Sequence, residues 1–118
     1  MSFPATYDFD YYVGDTSSFI AYPEHADGTP FDLTGYSAAF VISDKLSRNP
    51  DWHVDGDAFI DGDAIHYAIH PDVGNQLGSL STYFYDLEIR GVVNGQEVVY
   101  TLLKGRINSV IGVYRSNG

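Results

Sequence analysis

The densest chemistry in the chain is a run of carboxylates. Asp51, Asp55, Asp57, Asp61 and Asp63 put five acids within 13 residues. Hard cations such as Ca²⁺ take several oxygen ligands from carboxylates and carbonyls. Asp55-Gly56-Asp57 and Asp61-Gly62-Asp63 offer that ligand type at short spacing, so Asp55, Asp57, Asp61 and Asp63 are the candidate Ca²⁺ ligands. An EF-hand is excluded, because the spacing differs and no Glu closes the loop. Asp-Gly is also turn chemistry, and Asp at strand ends keeps edges soluble. That plainer use accounts for the same residues without an ion, and no cofactor is expected.

The other reactive types are sparse or badly spaced. Histidines stand at His25, His53, His66 and His70. His66 and His70 share one face of an expected strand, but four residues of strand span ~13 Å, too far for one metal ion. They read as half-exposed strand residues. Cys is absent, which removes disulfides, thiolate sites and Cys nucleophiles. No Ser sits in Gly-x-Ser-x-Gly. Acid pairs on turns lack the buried setting that raises a carboxyl pKa for acid catalysis. No catalytic residue is identified, and the chain is not expected to be an enzyme.

Aromatic residues are the remaining candidates. Trp52 has two readings: an exposed platform that stacks on a sugar or anchors a partner, or the start of a strand packed on the core edge. Tyr is unusually frequent at 10 residues, more than a domain this small can hold inside. Tyr is an amphipathic contact residue of low entropy cost, so some should line an interface. Tyr7, Phe9, Tyr11 and Tyr12 are the candidates, with Tyr7, Phe9 and Tyr11 on one face if residues 6–12 form a strand.

Strands must position these groups. Tyr36, Ala38, Phe40 and Ile42 alternate along residues 36–43, and Ile65, Tyr67 and Ile69 along 64–70. Tyr83, Tyr85, Leu87 and Ile89 do the same along 83–90. Residues 96–104 and 106–114 form two last segments joined near Gly105. Asp61-Gly62 and Asn94-Gly95 are hairpin candidates, Asp55-Gly56 is a turn or bulge, and Pro71 to Leu77 contains one helical turn. No apolar period of 3.6 is sustained. About eight short strands in 118 residues give an all-β, single-domain antiparallel β-sandwich over residues 1–118.

Charge bounds the partners. Six Lys and Arg against 16 Asp and Glu leave a net charge of −10. Such a surface repels phosphate backbones and anionic membranes, so neither nucleic acid nor membrane is an expected partner. Met1 to Asp8 have no basic start and no apolar core, so no secretory leader is expected.

The order of motifs carries a resemblance. Gly14-Asp15-Thr16 comes first, then Asp27-Gly28-Thr29-Pro30-Phe31-Asp32-Leu33-Thr34-Gly35-Tyr36, then Tyr83-Phe84-Tyr85-Asp86-Leu87-Glu88-Ile89, then Thr101-Leu102-Leu103-Lys104-Gly105-Arg106-Ile107. This order resembles the immunoglobulin-like domain of tailed-phage baseplate and tail proteins, of the kind that opens the baseplate upper protein family. It covers about residues 12–114, and the stretch from Asp27 to Tyr36 is its most specific part. Ser43 stands where the family often has a basic residue, and Ser81-Thr82 where it usually has Gly. The resemblance implies a non-enzymatic virion structural protein of the tail, baseplate or fibre-attachment region. Its partners would be other virion proteins, with a homo-oligomer matching the tail's symmetry. A capsid decoration protein shares the fold. A host-facing carbohydrate-binding module, with Trp52 and nearby Asp on a surface glycan, is the alternative from a different class.

Overall fold

The computed structural model describes residues 4–44, 52–78 and 81–110. Eight strands and one helical turn follow in order: β1 (Ala5–Thr6), β2 (Phe9–Tyr12), β3 (Ser17–Ala21), β4 (Ser37–Ser43), β5 (His53–Asp61), β6 (Ala64–Ile69), α1 (Pro71–Gly74), β7 (Ser81–Val93) and β8 (Gln96–Val110). The all-β sandwich of immunoglobulin-like character expected from the sequence is what the chain forms. Asp51 and residues 111–114 of the expected last strand lie outside the described residues.

One hydrogen-bonded path runs β1-β8-β7-β4-β5-β6-β3, with β2 also on β8. It folds into two layers because β5 changes partners midway. Residues 53–56 pair with β4, and residues 57–61 pair with β6. The larger layer is thus β1, β2, β8, β7, β4 and the start of β5. The smaller layer is the end of β5, β6 and β3. Asp55-Gly56, read as a turn or bulge, lies instead inside one continuous strand at the point of crossing. A Cβ at Gly56 would lie 2.5 Å from the Phe40 ring and 3.0 Å from the Ala68 carbonyl oxygen. The crossing is therefore as tight as a backbone without a side chain allows.

The pairing is not antiparallel throughout. β1 and β2 run parallel to β8, with Ala5 beside Leu103 and Phe9 beside Ile107. No short turn joins the N-terminal strands to β8, so no hairpin imposes the antiparallel sense. The last segments also differ from expectation, since β8 continues through Gly105 without a break. Its register slips at Leu87/Glu88, which leaves Leu102 as the extra residue. Gly105 serves a different purpose: a Cβ there would lie 2.0 Å from the Tyr7 carbonyl oxygen, which crosses over it.

The turns follow their sequences. Asn94-Gly95 closes β7 onto β8 with both φ positive, and Gly62-Asp63 closes β5 onto β6 with Gly62 at φ 65°. The Asp27–Tyr36 stretch is a loop stitched by two carboxylates. Asp27 accepts from the Thr29 backbone and hydroxyl, and Asp32 accepts from the Thr34 backbone. These bonds hold both carboxyls below the usual carboxylate range.

Inside, Phe9, Phe19, Tyr67, Phe40 and Tyr85 close into a ring, each centroid 4.7 to 5.5 Å from the next. The ring joins the layers, since Phe19 and Tyr67 belong to the smaller one and Phe9, Phe40 and Tyr85 to the larger. Tilted and edge contacts of this kind add to the burial of area. Burial pushes the Tyr67 hydroxyl up to about 12 and raises that of Tyr85 further. The Tyr85 hydroxyl donates to the Tyr7 carbonyl, which pins the N-terminal segment where β1 gives way to β2.

The crossing makes a direct prediction. Gly56→Ala should lower stability by about 1–3 kcal/mol through overpacking against Phe40. Thermal unfolding of the two proteins measures this, and an unchanged midpoint would contradict the close approach.

Candidate functional site

The structure sorts the sequence candidates by burial. Tyr11 is not an interface residue: it is 0% exposed, and its hydroxyl donates to the Asp15 carbonyl at 2.7 Å. It lies so close under α1 that a Cβ at Gly74 would meet its oxygen at 1.7 Å. Phe9 is half-buried in the aromatic ring. The alternation on β2 turns Phe9 and Tyr11 inward, because the strand lies on β8 with its partner layer beneath. Tyr7 and Tyr12 remain about half exposed. Trp52 is half-buried, packs on the core edge and tilts against Tyr83 at 5.7 Å.

The edge carrying Tyr7 to Tyr12 is short and interrupted. Between β1 and β2 the Asp8 carboxylate accepts from the Arg106 backbone N–H at 2.9 Å. Asp10 accepts from the Asn108 amide at 3.3 Å. Both bonds run inward to β8, and the strands of this edge are only two and four residues long.

The Asp run does not converge. Asp55, Asp57 and Asp61 alternate along β5, ~6.6 Å apart per pair of residues, and Asp63 sits in the following turn. Among the described residues no group of three or more His, Asp or Glu could hold a metal ion. Asp57 meets the His70 imidazole at 2.9 Å, and Asp61 lies 3.8 Å from that of His66. His66 on β6 and His70, just past its end, line the same depression, and each has its own carboxylate.

Those pairs belong to a surface that the motifs did not single out. On the outer face of the smaller layer, Ile20 of β3, His66 of β6 and Phe59 of β5 stand directly opposite one another. Ile20 is 52% exposed and Phe59 59%. The His66 ring lies flat on Phe59, at 4.9 Å and 7°. In the next row Ser18, Ala68 and Asp57 align. The small Ala68 leaves a depression of about 560 Å³ between the rows, with His70 at its end. The inner side of the same strands carries Phe19, Ile65, Tyr67 and Ile69, so the face is fixed in place by the core. β3 is the last strand of the path, with nothing paired on its outer side among the described residues.

The signal for this face was present in the alternation. Phe59 lies between Asp57 and Asp61, and two residues from each, so it shares their face. Its position in a row became visible only with the pairing of β3 to β6.

Charge is unevenly placed around the face. No Lys or Arg occurs in residues 13–35 or 57–78. The described cations Arg90, Lys104 and Arg106 all lie on β7 and β8. Arg90 is held by Glu88 on its own strand, which raises the guanidinium pKa. Exposed Val92 and Val99 on the β7–β8 hairpin form a second apolar surface, aliphatic and flanked by Arg90 and Glu97.

No protein-family model matches the chain, and no curated protein matches it either.

An exposed apolar row contributes little to folding. Ile20→Thr and Phe59→Thr should each change stability by about 0.5 kcal/mol or less, whereas Phe40→Ala should cost about 3–5 kcal/mol. Denaturant titration separates the two classes, and a large loss at Ile20 or Phe59 would mean that the row is part of the core.

Proposed function

We propose that this chain is a non-enzymatic structural protein of a tailed-phage virion, in the tail, baseplate or fibre-attachment region, and acts by docking onto neighbouring subunits. The observation that carries this reading is the Ile20–His66–Phe59 row on a rigid sheet. A sheet face turned to water favours polar side chains, and this one keeps an isoleucine and a phenylalanine open on either side of His66. Covering what is still exposed of each would contribute about 1 kcal/mol to association. A contiguous apolar patch with a polar rim marks an interaction site. The net charge of −10 keeps the free subunit soluble before assembly.

The virion assignment rests on the motif order from Gly14 to Ile107. The Asp27–Tyr36 stretch within it works as a structural loop, consistent with a scaffold role. Trp52, on which the glycan-binding alternative would rest, is half-buried and tilts against Tyr83.

Incorporation tests the proposal. Quantitative mass spectrometry of purified particles should find the wild-type protein at a few to a few dozen copies. Ile20→Thr/Phe59→Thr should fold normally yet fall well below wild type in the particles. Hundreds of copies would make it a capsid decoration protein. Absence of the wild type from particles would overturn the virion reading, and full incorporation of the double variant would remove this face as the dock.

A further inference from the structure

We propose that the depression over Ala68 receives a basic protein segment, one that places an apolar side chain over Ala68 beside the Ile20–His66–Phe59 row and Lys or Arg groups against Asp57 and Asp61. The inference rests on the docking reading above and names the chemistry of the partner.

Three features of the face select this occupant. Ile20 and Phe59 stand either side of His66, and Ala68 floors the depression beside that row, so an aliphatic side chain placed there has apolar groups to cover. The rim is anionic, since Asp57 and Asp61 lie two residues either side of Phe59 on the same strand face and are 68% and 76% exposed. Their described neighbours are the imidazoles of His70 and His66, and no Lys or Arg lies in residues 57–78. The open face of Phe59 adds a surface over which a guanidinium or ammonium is attracted by the ring. Charge placement rejects the main rival. A second copy would bring one −10 chain against another, with no Lys or Arg on β3, β5 or β6 to offset the repulsion. A basic partner gains from the same field at every distance within the ~8–10 Å screening length.

The test uses nitrogen-15-labelled protein and the peptide Arg-Leu-Arg-Leu-Arg, blocked at both ends, followed by NMR. Saturable shifts should be confined to Ser18–Ile20, Asp57–Asp61 and His66–His70. Affinity should fall by roughly tenfold or more in Asp57→Asn/Asp61→Asn and on raising salt from about 0.05 to 0.3 M. It should fall by a similar factor for Arg-Ser-Arg-Ser-Arg, which keeps the charge and loses the apolar groups. Glu-Leu-Glu-Leu-Glu should not bind. No saturable shift overturns the proposal, as does a response spread over Asp27 and Asp32, or equal binding of the Leu and Ser peptides, which would be unspecific charge attraction. Concentration-dependent shifts of this face in the protein alone overturn it in favour of a second copy. The two readings fail separately: a face needed for incorporation that ignores the Arg-Leu peptide still docks, but not onto a basic segment.

Discussion

The contact between Gly56 and the Phe40 ring governs the architecture. β5 begins as a neighbour of β4 and ends as a neighbour of β6, and it turns the path where any side chain would strike Phe40. Without that passage the strands would continue as one open sheet with a single wet and a single dry side. With it, β6 packs on β4 through Tyr67 and Phe40, and β3 on β2 through Phe19 and Phe9. Phe40 is also a member of the aromatic ring, with Tyr67 on one side and Tyr85 on the other. The residue that limits the bend is thus the one that joins the layers it creates.

The same constraint produces the candidate site. The smaller layer has one face committed to the ring through Phe19 and Tyr67, so its other face is held to the precision of the core. Period-two alternation then fixes which residues turn outward: Ser18 and Ile20, Asp57 and Phe59, His66 and Ala68. A one-residue slip in any of the three strands would exchange this set for the core set. Rigidity matters for docking, because a surface already ordered loses little entropy when covered. The N-terminal edge offers the opposite case. There Tyr11 is spent on the core, Phe9 closes the ring, and Asp8 and Asp10 bond into β8, which leaves Tyr7 and Tyr12 without a continuous surface.

Much of this was legible in the residues. The faces of β4, β6 and β7 follow directly from alternation, and the Asn94-Gly95 and Asp61-Gly62 hairpins from turn chemistry. What local pattern does not encode is which strands meet. Gly56 looks like a turn residue until both of its flanking partners are known, and Gly105 looks like a break until the Tyr7 carbonyl is seen crossing it. Tyr11 illustrates the limit most clearly. Its sequence neighbours Tyr7 and Tyr12 are half exposed, and only the arrival of α1 from sixty residues later seals it. Composition rightly implied that some tyrosines stay outside, but tertiary packing decided which.

Hydrogen exchange compared between free protein and protein within purified particles tests the central claim, that the small layer's outer face is the surface covered in function. Backbone amides of Ser17–Ala21, Asp57–Asp61 and Ala64–Ile69 should exchange more slowly in the particle, with the strongest protection on β3 at the open end of the path. Protection confined to Phe9–Tyr12 and the β7–β8 hairpin, with β3 exchanging as in the free protein, would contradict it.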